Sequence, residues 1–490
     1  LVTCAPRWQP RENPCGKKHD FFRTIVRFPG VLDYHIGSAW CIDHSAPIVF
    51  ADNFMENSDM TNASFVSRIR PISVAAGLLA AASASLAQAP APNVQLYGLV
   101  DVGVTRVSGL AQGTVTQLSS GIMEGSRWGL RGTEDLGNGY KAIFTLESRF
   151  EADTGGFSNR PASGGQLPDR VPTAQSLGLV GPLAPAGAVV SGVNQAIGNQ
   201  LGVNLGNNQF DRQAYVGIIT PVGAIMAGRM YTPDYEIAAK YDAMETQSAL
   251  AAGQLAAIPA GFDIRVNNAL QYRIRAAGVE ASVMYGFGET GNSSSNSRFV
   301  GTMANYTTDS FSVGVGYNQR NNAIGQKALT TTSVGGWAKV GPGKLSAVYS
   351  RHKDNNPDLY LLAAQGVVSN LGNTALAGQV PGILAAYRTA FVQKFDLFNV
   401  GYRITEGPHT VTVAYTTRND KTAPDSDARS YGVAYSYALS KRTDLNAVVV
   451  RFDNKRNGQA APGGNGYLGG VTRAAGVDST SVALGIRHRF

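Results

Sequence analysis

"STSVALGIRHRF" runs from Ser479 to Phe490 and ends the chain. Its even positions Val482, Leu484, Ile486 and Phe490 are apolar, and only His488 breaks the row. Its odd positions Ser481, Ala483, Gly485, Arg487 and Arg489 are small or charged. A period of two marks a strand with two unlike faces. The stretch matches a tilted strand crossing a bilayer, which takes roughly 9–11 residues. Soluble domains usually leave their last residues frayed and polar. An apolar row kept up to the final side chain therefore asks for a partner strand and an apolar surrounding.

The pattern recurs upstream. In 95–105, Leu96, Val100, Val102 and Val104 share a face opposite Asp101 and Thr105. In 141–151, Ala142, Phe144, Leu146 and Phe150 oppose Lys141, Thr145, Glu147, Arg149 and Glu151. In 265–275, Val266, Leu270, Tyr272 and Ile274 oppose Arg265, Gln271, Arg273 and Arg275. Segments 311–320, 411–418 and 430–437 behave likewise. No run of about 20 apolar residues occurs, which argues against a helical membrane protein. Strands without helix alternation favour one large all-β unit over the several soluble domains that 490 residues would otherwise suggest.

The front of the chain reads differently. Arg68 and Arg70, the Ala- and Leu-rich stretch Ile72 to Leu86, and Ala87-Gln88-Ala89 form the layout of a secretory signal peptide over 60–89. Residues 1–59 are expected to be a spurious or disordered extension, and 90–490 the mature unit. Cys4, Cys15 and Cys41 all lie in that extension, at spacings that fit no common zinc pattern. Residues 90–490 hold 34 basic and 27 acidic side chains, a net of +7.

Short, turn-like connectors alternate with long ones. The short ones are 134–139, 220–223, 276–278, 308–310, 341–344, 405–408 and 439–444. The long ones are 108–121, 152–209, 233–263, 289–296, 321–328, 355–393, 420–427 and 455–478. They delimit sixteen strands: 95–107, 122–133, 140–151, 210–219, 224–232, 264–275, 279–288, 297–307, 311–320, 329–340, 345–354, 394–404, 409–419, 428–438, 445–454 and 479–490. Strands in hydrocarbon must pair every backbone donor and acceptor, so such a sheet must close on itself. The expected fold is an all-β, sixteen-stranded antiparallel transmembrane barrel with short periplasmic turns and long external loops. A soluble sandwich would alternate too, but the signal peptide and the arginine rows favour the barrel.

"QLYGLVDVGV" (95–104), "SRWGLRGTEDLGNGYKAIFTLES" (126–148), "DRQAYVGI" (211–218), "AGRMYTP" (227–233) and the closing "ALGIRHRF" resemble the trimeric, sixteen-stranded general porins of Gram-negative outer membranes. The resemblance covers 93–490 with divergent loops. It implies a homotrimer of water-filled channels for small hydrophilic solutes and ions, embedded in outer-membrane lipid. It also implies a third long loop folded inward to narrow the pore, a second long loop that latches a neighbouring subunit, and a final aromatic, Phe490, read by the barrel assembly machinery. At 58 residues, 152–209 is longer than a latch requires.

The expected constriction is loop 233–263, with Asp234, Glu236, Asp242 and Glu245, facing a basic ladder on the wall. Arg127, Arg212 and Arg265 match positions that line the constriction in similar porins. Parity puts Arg229 on the inner face with Ala227, with Met226 and Met230 outward, and places Glu147 and Arg149 inward. Asp242, Glu245 and Asp101 also suit structural contacts to the wall. The net charge predicts mild anion preference, because charges facing a narrow pore are weakly screened. A substrate-specific channel is the alternative.

No catalytic group, cofactor or metal is expected. His352, His409 and His488 lie on different strands, no Gly-x-Ser-x-Gly elbow occurs, and "GPGK" lacks the spacing of a phosphate loop. Arginines spread singly through strands, with no basic cluster, argue against nucleic acid.

Overall fold

The computed structural model describes residues 93–490 except 246–247, 257–262, 292 and 464–468. The assignments made for 1–59 and 60–89 lie outside the described residues. The wall opens with β1 (Asn93–Leu110), β2 (Gly113–Ser120), β3 (Arg127–Gly137) and β4 (Tyr140–Arg149). It continues with β5 (Gln213–Thr220), β6 (Gly223–Tyr231), β7 (Arg265–Ala276), β8 (Val279–Gly286), β9 (Phe299–Thr307) and β10 (Phe311–Asn321). It ends with β11 (Lys327–Val340), β12 (Gly343–Asp354), β13 (Gln393–Glu406), β14 (His409–Asp420), β15 (Ala428–Ala438) and β16 (Thr443–Asn454). After a short hairpin, β17 (Ala460–Ala461) with β18 (Gly470–Val471), comes the closing strand β19 (Ser479–Arg489).

Neighbouring wall strands pair antiparallel, and β19 returns to β1 from Leu99↔Arg489 to Val107↔Ser481. The sheet is a closed sixteen-position barrel with no free edge. Phe490 completes the seam. Its N–H donates to the Gly98 carbonyl at 3.0 Å and its carbonyl accepts from Gly98 N–H at 3.1 Å. A Cβ on Gly98 would sit 2.5 Å from Phe490 Cζ, so the glycine leaves room for the terminal ring.

The second wall position departs from expectation. The connector spacing predicts an outer loop over 108–121 and a strand over 122–133. Instead β1 turns at 111–112 into β2, the chain leaves the wall at 121–126, and β3 resumes the position. The cause is Asp101, buried on the inner face of β1. Its Oδ1 accepts from Ile122 N–H at 3.1 Å, and its Oδ2 from Met123 and Glu124 N–H at 2.8 Å each. One carboxylate thus satisfies three backbone donors that have left the ladder.

The outer surface is an apolar belt that would be untenable in water. Val94, Leu96, Val104, Val216, Ile218, Leu270, Tyr272, Ile274, Val283, Val482, Leu484 and Ile486 are exposed, while their strand neighbours point inward. No described helix is long and apolar enough to cross a membrane, and the strands do the crossing.

Two of the long connectors, expected only as external loops, carry helices. L2 (150–212) carries α1 (Ala184–Gly198), and L6 (355–392) carries α4 (Asp358–Leu371) and α5 (Val380–Phe391). L3 (232–264) carries α2 (Pro233–Tyr241) and a single turn, α3 (Gly253–Ala256).

Candidate functional site

L3 enters the barrel at a tied neck, where Thr232 N–H donates to the Ile264 carbonyl at 3.1 Å. Pro233 opens α2 at a position where its missing N–H costs nothing. The helix lies on the inner wall of β9–β12, burying Ile237 and Tyr241 against Met303 and Val348. Tyr241 Oη and Ser312 Oγ are 2.9 Å apart. Beyond α2 the chain crosses the opposite arc, where Leu250 and Leu255 sit fully buried among Phe395, Leu397, Val448, Val450 and Phe452. Each such side chain contributes about 1.5–3 kcal/mol of hydrophobic burial. The bland alanine- and leucine-rich part of L3 is therefore the adhesive side of a belt. Asp242 ties the belt to itself, accepting from Met244 N–H at 2.8 Å and Ala252 N–H at 2.7 Å. Burial outweighs those two bonds and pushes its carboxyl up to about 6.

Two charged arrays remain beside the belt. On β3–β7, Glu147 accepts from Arg212 Nε at 2.6 Å and from Tyr97 Oη at 3.1 Å, with Arg127 Nε 3.7 Å away. Arg212 and Arg265 each donate to Tyr231 Oη at 2.8 Å, and the Arg265 guanidinium lies 4.4 Å from the Tyr231 ring centroid. Tyr231 stacks on Tyr235 of α2, so the array is braced by the belt. Arg127, Arg212 and Arg265, far apart in sequence, thus share one network through Glu147 and Tyr231.

The second array spans the seam. Glu124, carried inward by the Asp101 excursion, accepts from Arg487 Nη1 at 2.9 Å and Arg489 Nη2 at 3.0 Å, and it pairs with Arg127 Nη2 at 2.9 Å. Asp444 binds the same two arginines at 3.0 Å each. Across from it, Glu245 of L3 meets Lys344 at 2.8 Å and Arg403 at 3.1 Å. Burial works against its charge, but Lys344 and Arg403 hold the Glu245 carboxyl below the usual range. Below α2, Glu236 pairs with Arg273, which also binds Glu280 at 3.0 Å. The open lumen around these groups includes cavities of about 470 and 390 Å³. Seven basic side chains (Lys240, Arg273, Arg275, Lys344, Arg403, Arg487 and Arg489) line them against four acids (Glu124, Glu236, Glu245 and Glu280).

Several expected positions need correction. Arg229 lies on the outer face: its register partner is Ala214, whose neighbour Val216 faces out, and it binds the Asp211 carbonyl and Asn267 Oδ1 at 2.6 Å each. Met226 and Met230 point inward, into an apolar cluster with Met284 and Phe299. Parity failed on β6 because both of its faces are apolar. Val266 also changes sides, because a bulge at 267–268 shifts the register between it and Leu270. Asp234 does not meet the lumen. It is wholly buried between α2 and the wall, where burial pushes its carboxyl up to about 6. Arg149 is 1% exposed and joins Asp211 at 3.5 Å to Glu151 at 3.4 Å, tying β4 to the return of L2.

Glu147 and Arg212 are buried supports, whereas Arg127 and Glu236 keep partial exposure. Arg273, Arg275, Arg403, Arg487, Arg489, Lys240 and Lys344 also line the lumen, beyond the ladder expected from sequence. For 273, 275, 487 and 489 the signal was present, since each stands opposite a clean apolar row.

A family model described as Gram-negative porin matches residues 73–457. The chain is 27% identical over 443 residues to outer membrane porin protein 32 of Delftia acidovorans, covering 85% of this chain and 99% of that one. It is 26% identical over 454 residues to an outer membrane porin of Bordetella pertussis, covering 85% and 98%. In fold it is similar to the anion-selective porin from Comamonas acidovorans, with a TM-score of 0.59, 24% identity, and coverage of 81% of this chain and all of that one. OmpT of Vibrio cholerae follows with a TM-score of 0.51 at 12% identity, covering 83% of this chain and all of that one. A closed barrel, greasy outside, with a loop belt and charged arrays within, and a matching family model along most of its length, place this chain in the Gram-negative porin family, as an outer-membrane diffusion channel.

Proposed function

We propose that the channel prefers anions mildly and passes small hydrophilic solutes without a dedicated substrate site. The observation that carries this reading is the basic surplus of the lumen, seven side chains against four, in cavities bounded by low-dielectric wall. The preference is mild because each lumenal acid is braced by arginine or lysine, which leaves a field of only a few net charges. The similarity to a porin named for anion selectivity supports the same sign. Arg127 and Arg265 act at the waist beside Arg403, Arg487 and Arg489. Glu147 and Arg212 hold that waist in shape, and Glu236 and Glu245 moderate its charge. The assembled form is a homotrimer in outer-membrane lipid. Phe490, locked at the seam, is the signal presented to the assembly machinery before that seam closes.

The test is the reversal potential of the purified protein in a planar bilayer under a KCl gradient. Chloride preference at low salt, weakening as salt rises because screening shortens the field, is expected. Cation preference, or a ratio indifferent to ionic strength, rules the reading out. Conductance that saturates with one solute and is blocked by it would indicate a substrate-specific channel.

A further inference from the structure

L2 leaves the wall between β4 and β5, the third and fourth of sixteen positions, and L6 between β12 and β13, the eleventh and twelfth. Their anchors are therefore half a barrel apart. Yet the two loops share one core. Val190, Val193 and Ile197 of α1 are buried with Ala363, Val367 and Leu371 of α4 and Ile383, Tyr387 and Phe391 of α5. Tyr387 Oη donates to Asn194 Oδ1 at 2.8 Å across the loops. On its way, L2 is fastened to L8 (455–478). Gln166 Nε2 donates to the Thr472 carbonyl at 2.9 Å, Asp169 N–H to Gln459 Oε1 at 2.5 Å, and Ser163 Oγ accepts from Val471 N–H at 3.0 Å. Segments rooted on opposite sides of a ring and joined through a dry core must span its opening.

We propose that α1, α4 and α5 form a fixed roof over the outer mouth, and that this roof screens solutes by size before they reach the L3 belt. The inference rests on the channel reading above. The roof excludes by bulk, since its core is apolar, while the arrays below sort by charge. It stays shut because opening it would expose Val190, Ile197, Val367, Tyr387 and Phe391, all fully buried, to water. The apolar face of α1 that could grip a neighbouring subunit already holds L6.

One pair of positions makes this testable. A Cβ built on Gly366 of α4 lies 3.9 Å from Cβ of Val193 in α1, within the spacing of a disulfide, about 3.8 Å. Residues 93–490 contain no cysteine, so V193C/G366C supplies the one pair there. Mild oxidation of the folded, bilayer-competent protein is expected to form the bond, read as a mobility shift on a non-reducing gel. Conductance and liposome swelling with mono- and disaccharides should then be equal in the oxidised and reduced forms. Failure to cross-link overturns the shared core, and a fall in disaccharide flux on oxidation overturns the fixed roof in favour of a moving one.

A second variant, with residues 172–199 replaced by a short Gly-Ser linker, should raise disaccharide swelling severalfold relative to monosaccharide while leaving the reversal potential in place. An unchanged ratio in a heat-modifiable, folded barrel would overturn the size-filter role. A wild-type protein with no conductance at all would instead overturn the channel reading, and the cross-link would still decide the roof.

Discussion

Two arcs of the inner wall are built on opposite principles. From β3 to β7 the inner wall carries Arg127, Glu147, Arg212, Tyr231 and Arg265, linked by charge-assisted hydrogen bonds, with Glu147 and Arg212 buried and Arg127 reaching the water of the lumen. From β13 to β16 the half of the inner face nearer the outer mouth carries Phe395, Leu397, Val448, Val450 and Phe452, and it is dry because L3 lies on it. A barrel interior is wet only where nothing covers it. The same hydrophobic effect that sends Leu484 toward lipid sends Leu250 toward the wall from inside. The channel is therefore off-centre, with one wall that is rigid because it is charged and another that is rigid because it is greasy.

That contrast can be broken at its charged end with the largest effect. Glu147→Gln leaves Arg212, 2% exposed, without its counter-charge. Removing one partner of a buried ion pair costs about 3–5 kcal/mol. The midpoint of thermal unfolding in detergent should fall clearly, and the reversal potential should move toward anions. A variant as stable as the parent would show that the network is solvated after all.

The greasy arc is probed by Leu250→Ala, which should cost about 2–5 kcal/mol of docking. That loss is felt by the belt more than by the barrel. Single-channel conductance should rise and become noisier, while the heat-stability of the barrel changes little. Equal conductance would mean that L3 is held by its charged contacts instead.

Acidity sharpens the comparison further. Asp234 and Asp242, both in L3, have carboxyls pushed up to about 6 by burial. A raised carboxyl means that the docked belt binds more protons than a free one. The stability this confers is fully present below the ordinary carboxylate range and is lost as pH rises through about 6. Proteolysis of L3 should be slower at pH 5 than at pH 7. Loss of two negative charges should also strengthen anion preference over the same interval. Protease sensitivity that rises on acidification would contradict the sign.

The smallest effect is expected outside both arcs. Arg229→Gln, on the outer face, should leave selectivity unchanged and stability within about 0.5 kcal/mol. A shifted reversal potential would return Arg229 to the lumen.

Most of the wall was legible because lipid and water impose opposite demands on alternate residues, so β19, β7 beyond its bulge, and β4 declared their faces. Legibility failed where that opposition lapsed. β6 is apolar on both faces, with Met226 and Met230 inward and Ile225 and Ala227 outward, so alternation alone turns Arg229 to the wrong side. The excursion at 121–126 depends on one carboxylate, Asp101, meeting three N–H groups from a different segment, a contact that no local pattern reports. Asp234 was placed in the lumen because its loop was right, but the first turn of α2 faces the wall. The helices of L6 left a readable trace in the four-residue spacing of Leu359, Ala363, Val367 and Leu371, whereas α1, rich in alanine and glycine, finds its stability in a core supplied by L6. Arg127, Arg212 and Arg265 were grouped by resemblance alone, and their physical link through Glu147 and Tyr231 required the fold.

The identity of the lumen depends on which side of the closing strand meets water. Single-channel recording of Arg487→Cys and Ile486→Cys, each exposed to a membrane-impermeant, charged thiol reagent, tests this directly. Stepwise block of the 487 channel with an unaffected 486 channel is the predicted result. Block at 486 with 487 inert would mean that β19 is turned inside out, and with it the lumen described above.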